Sequence, residues 1–308
     1  MEPTTVPTKR STYSVQMTKL KHQIELRLAT VVSSVRQLWM VAFIVVAAGC
    51  WFLIESGGSF ADTSRSVLHG LCAQQPTHSL VVGGELLPFD SRMTGIYSGA
   101  LLCWCVLAAS GCLITKVIPT VSVVASLAGA VAILAVDGFN SLFVDLGIGQ
   151  LYEPQNMIRF FTGFGTGVAL TSLLSWLLGT SLWKLSGDDT VWRATSALVW
   201  IVPTSIVTYL SLSSAPGWSY PVIAIALLAS AWVTVTGLML VIVVSLLRIE
   251  YTVTTLAKLH APLAASVALA LAIILGLAQG RFWLERTLGI PQDFIAAVPQ
   301  SLEAILFF

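Results

Sequence analysis

The sequence predicts an all-α, polytopic bundle of about seven transmembrane helices with a cytoplasmic N-terminus. Three observations predict it. Only 10% of residues are charged against 56% hydrophobic, with mean hydropathy +0.85, whereas soluble domains carry about 25% charged residues. Seven apolar runs recur, each near the ~20 residues a helix needs to cross ~30 Å of hydrocarbon. Lys and Arg also fall unevenly between alternate loops, as the positive-inside rule requires. A soluble globule is excluded, and a net charge of +1 argues against nucleic acid as a partner.

Residues 1–37 open polar, with Pro3 and Pro7, then turn helix-like. Met17, Leu20, Ile24, Val31 and Val35 recur at helical spacing beside Lys19, Lys21, Arg27 and Arg36. This is a basic amphipathic segment on the cytoplasmic face, suited to lie on the bilayer or dock a protein partner. The first apolar run starts too late for a secretory signal and has no small-residue cleavage site. The spans are placed at Leu38–Glu55, Gly95–Leu113, Ile118–Val136, Ile158–Trp183, Ala194–Leu212, Pro221–Leu247 and Pro262–Gln279. All should be helical, because an open sheet edge cannot be satisfied in lipid. Pro203 should kink the fifth. Short connections make sequential neighbours antiparallel. The fourth span carries Thr162, Gly163, Gly165, Thr166 and Gly167, the third Ser122, Ala125, Ser126 and Gly129. Small residues four apart let helices approach closely in lipid, so these two spans are expected to pair. Beyond Gln279 the chain holds Phe282, Trp283, Pro291 and Pro299 and reads as an interfacial or re-entrant tail.

Orientation follows from the basic residues. With the N-terminus inside, the cytoplasmic parts hold Lys9, Arg10, Lys19, Lys21, Arg27, Arg36, Lys116, Lys184, Arg193, Arg248 and Lys258. The other side holds Arg65, Arg92, Arg159, Arg281 and Arg286. That bias places the protein in a cell membrane with its C-terminus and residues 69–99 outside. Three regions result: the cytoplasmic segment 1–37, a core of four helices over 38–185, and three further spans with the tail over 186–308.

The stretch from His69 to Gly99 is the densest in chemistry-bearing groups. It holds His69, Cys72, His78, Glu85, Asp90 and Arg92 between two apolar runs. It also carries a recognisable pattern: His69, Cys72, Gln74 and Pro76, then Leu87, Pro88, Arg92, Gly95, Ile96, Tyr97 and Gly99. Further on come Asp137 and Gly138, then Asn156, Arg159, Thr162 and Gly163. These residues resemble the family called domain of unknown function 2085, over about a third of the chain. The resemblance implies a multi-pass membrane protein and no particular activity. Where the family has a second His this chain has Ala73, and where it has two later Cys this chain has Asp90 and Met93. A metal or redox site built on those family residues would be largely lost here.

Three chemistries are open to these residues. His69 and Cys72, three apart, could share one helix face, with His78, Asp90 and Met93 completing a copper- or zinc-like ligand set. The spacing matches no strong metal motif, and no particular cofactor is assigned. Redox exchange through Cys72 needs a resolving thiol, and Cys103 and Cys105 lie about two helical turns below the surface. The third is an ionic cluster. Arg92, Asp137 and Arg159, with Asn156 and Tyr97 near them, sit at helix ends on one side. They would form either a structural clamp or a carboxylate- or phosphate-binding site. The function expected is a non-enzymatic membrane component, an accessory subunit or a small-ligand or ion-binding protein. An extracytoplasmic metal- or thiol-dependent enzyme and a solute transporter stand as the alternatives.

Overall fold

The computed structural model describes residues 40, 59–113, 115–182, 187–190, 195–247 and 259–289. Among these, the chain forms seven α-helices: α1 (Phe60–Leu68), α2 (Ser91–Ala109), α3 (Val121–Asp145), α4 (Asn156–Leu182), α5 (Ile201–Ser213), α6 (Tyr220–Leu246) and α7 (His260–Thr287). Helices α2, α3, α4, α6 and α7 are long and apolar enough to cross a membrane. The expected N-terminal segment and first span lie outside the described residues, apart from Met40, and so does the chain beyond Gly289.

Five expectations are corrected. The fifth run, placed at Ala194–Leu212, is a 3-10 turn over Thr195–Trp200 followed by the short helix α5. Pro203 does not kink it in the middle but stands in its first turn. Proline has no N–H to give, and its ring crowds the carbonyl four residues back, so regular α-helix starts only there. Helix α3 runs on past Val136 to Asp145. Helix α7 likewise continues through Phe282 and Trp283, with no proline to stop it and with Arg281 Nε 2.7 Å from Glu285 Oε1 one turn on. Lastly, the mostly helical chain is not wholly α.

Two short sheets break the helical pattern. Strands β1 (Ser79–Val82) and β2 (Glu85–Asp90) form an antiparallel hairpin within the motif stretch. Its turn is Gly83-Gly84, both at positive φ, 60° and 86°, which is the backbone a tight hairpin needs and which glycine adopts at no steric cost. Pairing slips between Ser79 and Val81, where Pro88 on β2 has no N–H to donate. Strands β3 (Thr115–Val117) and β4 (Gly187–Thr190) make a second, parallel pair.

The closest packing is between α2 and α4. A Cβ at Gly95 would collide with the carbonyl oxygen of Phe160, and one at Gly99 with that of Phe164. Reciprocally, Gly163 abuts the carbonyl of Arg92, and Gly167 that of Ile96. Two Gly-x3-Gly stripes therefore face each other backbone to backbone, and the pairs ascend together in sequence, so the helices run parallel. The expected pairing of the third and fourth spans also forms, but it is looser than that of the second and fourth. In α3 the small residues Ser122, Ala125 and Ser126 are exposed, and Gly129 faces open space. Along α4, Thr162 lies against Asp137 of α3, Gly165 lies beside Ala130, and Thr166 donates to Ala130 O.

One end of the bundle is capped by α1, the hairpin and the loop between them. Ser59 and Asp62 form a capping box at the start of α1. Tyr220 Oη, at the start of α6, donates to Leu86 O at 3.0 Å. Gly83 in the hairpin turn packs against Gly217 before α6. Arg281 near the end of α7 donates to the carbonyls of His69 and Cys72 and, at 3.3 Å, to that of Ala73. The starts of α2, α4 and α6 and the ends of α3 and α7 thus meet under one lid.

The glycine contact yields a direct test. Gly163→Ala and Gly167→Ala should each lower the melting temperature in detergent, by an amount equivalent to about 1–3 kcal/mol or more, since the added methyl forces two backbones apart. Gly129→Ala, with no atom within 4 Å of the new methyl, should be neutral or slightly stabilising. Equal effects at the three positions would refute the interlock.

Candidate functional site under the capped end

Gln74 organises the loop after α1. It adopts a positive φ of 55° without being glycine, a conformation that costs about 1–2 kcal/mol. Its side chain offsets that cost with three hydrogen bonds. Nε2 donates to Arg65 O at 2.8 Å and Pro88 O at 2.9 Å, which turns Oε1 toward His69 Nδ1 at 3.0 Å. His69 is 3% exposed, stacks on Phe282 with ring centroids 4.3 Å apart, and has Nε2 2.7 Å from Glu285 Oε2. Both ring nitrogens face acceptors, and Glu285 in turn holds Arg281.

Cys72 points elsewhere. Its sulfur accepts from the backbone N–H groups of Gln74 (3.4 Å) and Asp90 (3.3 Å). Burial, and then the neighbouring Asp90 carboxylate, pushes its thiol up to about 12. A thiol so held is a poor nucleophile and a poor ligand. Asp90 is the N-cap of α2, taking the Met93 N–H at 2.8 Å. His78 is half-buried: burial pushes its basicity down, Arg159 adds to that, and Asp145 and Asp90 oppose it. Of the four residues weighed as metal ligands, Cys72 and Asp90 are neighbours, while the His69 ring is turned to Gln74 and Glu285. Among the described residues, no three His, Cys, Asp or Glu are grouped to hold an ion.

The ionic cluster is centred on Asp137, 1% exposed near the end of α3. Arg92 grips it from the first turn of α2, with Nε 3.1 Å from Oδ2 and Nη2 on the same oxygen, and Nη2 also reaches Ser141 Oγ at 3.1 Å. Tyr152 Oη donates to the other oxygen, Oδ1, at 2.6 Å. Burial and that bond raise the Tyr152 phenol to about 12, so it remains a donor. Fully buried Asn140, one turn past Asp137, positions Tyr152: it donates to Tyr152 O at 2.9 Å and accepts from Leu151 N at 2.7 Å. Thr162 Oγ1 lies 3.5 Å from Oδ2.

Arg159, from the first turn of α4, is 6% exposed. Its guanidinium makes one hydrogen bond, Nη1 to Asn156 Oδ1 at 3.2 Å, while Asn156 Nδ2 ties α4 to Thr77 O at 3.1 Å. No carboxylate stands within ion-pair distance of Arg159 among the described residues. Tyr97 is not part of this mouth. It is buried against Phe89, ring centroids 4.6 Å apart, on the side of α2 whose backbone meets Ser230 of α6. Sequence reasoning thus found Arg92, Asp137, Arg159 and Asn156 but missed Tyr152, Asn140 and Ser141. Asp137, Asn140 and Ser141 fall three and four apart on an otherwise apolar helix, a polar stripe visible in the sequence. Tyr152 left no such signal.

The model of a family described as predicted membrane protein (DUF2085) matches residues 72–173. That span carries the hairpin, both glycine stripes, Arg92, Asp137 and Arg159, and leaves out His69, Arg281 and Glu285. No curated protein and no solved structure matches the chain.

Two outcomes are expected from this geometry. Asp137→Ala should destabilise by about 3–5 kcal/mol, because it leaves Arg92 without its carboxylate, and Arg92→Ala combined with it should recover part of that loss. Strict additivity in thermal melts would mean the pair is not coupled. Cys72 in folded protein at pH 8 should resist a maleimide that labels it fully once the chain is denatured, since only on the order of one thiol in ten thousand is ionised there. Rapid labelling in the folded state would contradict the burial described.

Proposed function

We propose that this is a non-catalytic, small-anion-binding membrane protein whose site is the mouth formed by Arg159, Arg92 and Tyr152. One observation carries the reading: Arg159 is buried and charged, and among the described residues the only hydrogen-bond partner of its guanidinium is a neutral amide. A buried cation at a membrane-helix end is costly unless paired. Asp137 is already taken by Arg92 and Tyr152, so Arg159 has no carboxylate of its own in direct contact. A carboxylate- or phosphate-type anion would supply that contact, and the planar guanidinium fork suits either. Asp90 and Asp145 also act on Arg159 and would tune the affinity. The count of Lys and Arg between the two sides supports an extracytoplasmic mouth in a cell membrane with a cytoplasmic N-terminus.

Two measurements test this. Inorganic phosphate or acetate should raise the melting temperature of detergent-solubilised protein at constant ionic strength, and Arg159→Gln should abolish the rise while Arg65→Gln keeps it. A rise that survives in Arg159→Gln, or no rise in the wild type, overturns the site. For orientation, in a background without other cysteines, a cysteine at Glu85 should react with an impermeant thiol reagent on intact cells, and one at Ser110 only after permeabilisation. The opposite pattern would invert the topology.

A further inference from the structure

The lid over the charged end is fastened to α7 through one ring. His69 follows α1 and stands between Gln74 on one side and Glu285 of α7 on the other. Phe282 stacks on its face. The next residue is pressed against α7 as well, since a Cβ at Gly70 would collide with the backbone of Leu277 and Ala278.

The hydrogen bonds at this ring fix its charge. Gln74 Nε2 is committed to two carbonyls, Arg65 O and Pro88 O. The atom it turns to His69 Nδ1 is therefore the acceptor Oε1, and Nδ1 must carry a hydrogen. On the far side Nε2 stands 2.7 Å from Glu285 Oε2. Glu285 is ion-paired through its other oxygen to Arg281, so it faces the ring as a carboxylate, which only accepts. Nε2 must then carry a hydrogen too, and a ring with both is the imidazolium cation. We propose that the lid is latched to α7 by a protonated His69, held at low pH and loosened as the pH rises.

The direction follows from the same hydrogens. Once Nε2 gives up its proton, a lone pair faces a carboxylate at contact distance, while Nδ1 keeps its hydrogen for Gln74. The link that fails is the one to α7. Arg281 still holds the carbonyls of His69, Cys72 and Ala73, so the loop loosens without detaching. The charged groups facing the ring are Glu285 and Arg281 of α7. Arg65, one turn back on α1, acts on the Tyr220 phenol, and Asp90 acts on the Cys72 thiol. The loop runs on to Thr77, whose carbonyl takes Asn156, the partner of Arg159. A proton on His69 thus steadies one wall of the charged mouth.

The test uses full-length protein in nanodiscs, labelled with 15N-histidine. Of the four His, the His69 signals are those missing from His69→Gln. At about pH 6 both of its ring nitrogens should be protonated, and by about pH 9, beyond the usual histidine range, Nε2 should not be. Over the same interval the hydrogen-exchange protection of residues 70–78, corrected for intrinsic exchange, should fall about tenfold, the worth of one hydrogen bond to a charged group. In Glu285→Gln the amide can donate to a neutral ring, so protection should no longer change with pH. The wild-type signals stand by themselves where a variant does not fold. A bare Nε2 at about pH 6, protection that is flat with pH in the wild type, or a fall that survives in Glu285→Gln would each overturn the latch.

Discussion

The contact on which the rest of this structure depends is the meeting of two bare backbones, α2 and α4, along Gly95, Gly99, Gly163 and Gly167. In lipid there is no hydrophobic force to press helices together, so close dispersion contact and Cα–H···O approaches must hold them. The four glycines permit that approach and also fix the register. Because Gly163 sits on the Arg92 carbonyl, the first turns of two parallel helices are locked side by side, and each brings an arginine. The charged mouth is therefore a by-product of the packing. Once the register is set, Arg92 and Arg159 must share one end of the bundle, and α3 must deliver Asp137 there.

The lid over that end is held largely by polar side chains bonding to backbone. Gln74 and Arg281 between them engage the carbonyls of Arg65, Pro88, His69, Cys72 and Ala73. A loop that carries many backbone groups into a buried place needs such partners. His69, Cys72 and Asp90, which in sequence look like ligands, are used here as struts. The residues left for chemistry are those whose capacity is not consumed by the fold, and Arg159 is the clearest of them.

Much of this was legible in the sequence. The apolar runs mark five long helices because membrane length and helical rise leave few alternatives. Arg92, Asp137 and Arg159 could be placed together because charges at helix ends on one side must find each other. The glycine pattern was legible as a packing stripe but not as a pair. Gly-x3-Gly states that a helix has a close partner, and only the three-dimensional arrangement selects α2 over α3. The hairpin was hidden by the surrounding apolar runs, although Gly83-Gly84 between Val82 and Glu85 is the signal that would have exposed it. The continuation of α7 was masked by Gly280 and the aromatic residues after it, which read as an interface. The link from Glu285 to His69 joins residues 216 apart, and no local pattern records it.

The parallel pairing of α2 and α4 also sets an order of events during biosynthesis. Helix α2 has its glycine stripe ready when it enters the membrane, but the surface that fills it is made about 70 residues later. At about 5–20 residues per second the nascent chain spends several seconds with that groove unpartnered and with Arg92 not yet matched by Asp137. Helix α3 emerges in the interval and carries the carboxylate, so the arginine is neutralised before the glycine seam closes. The chain order thus lets the charge be settled first and the close packing second.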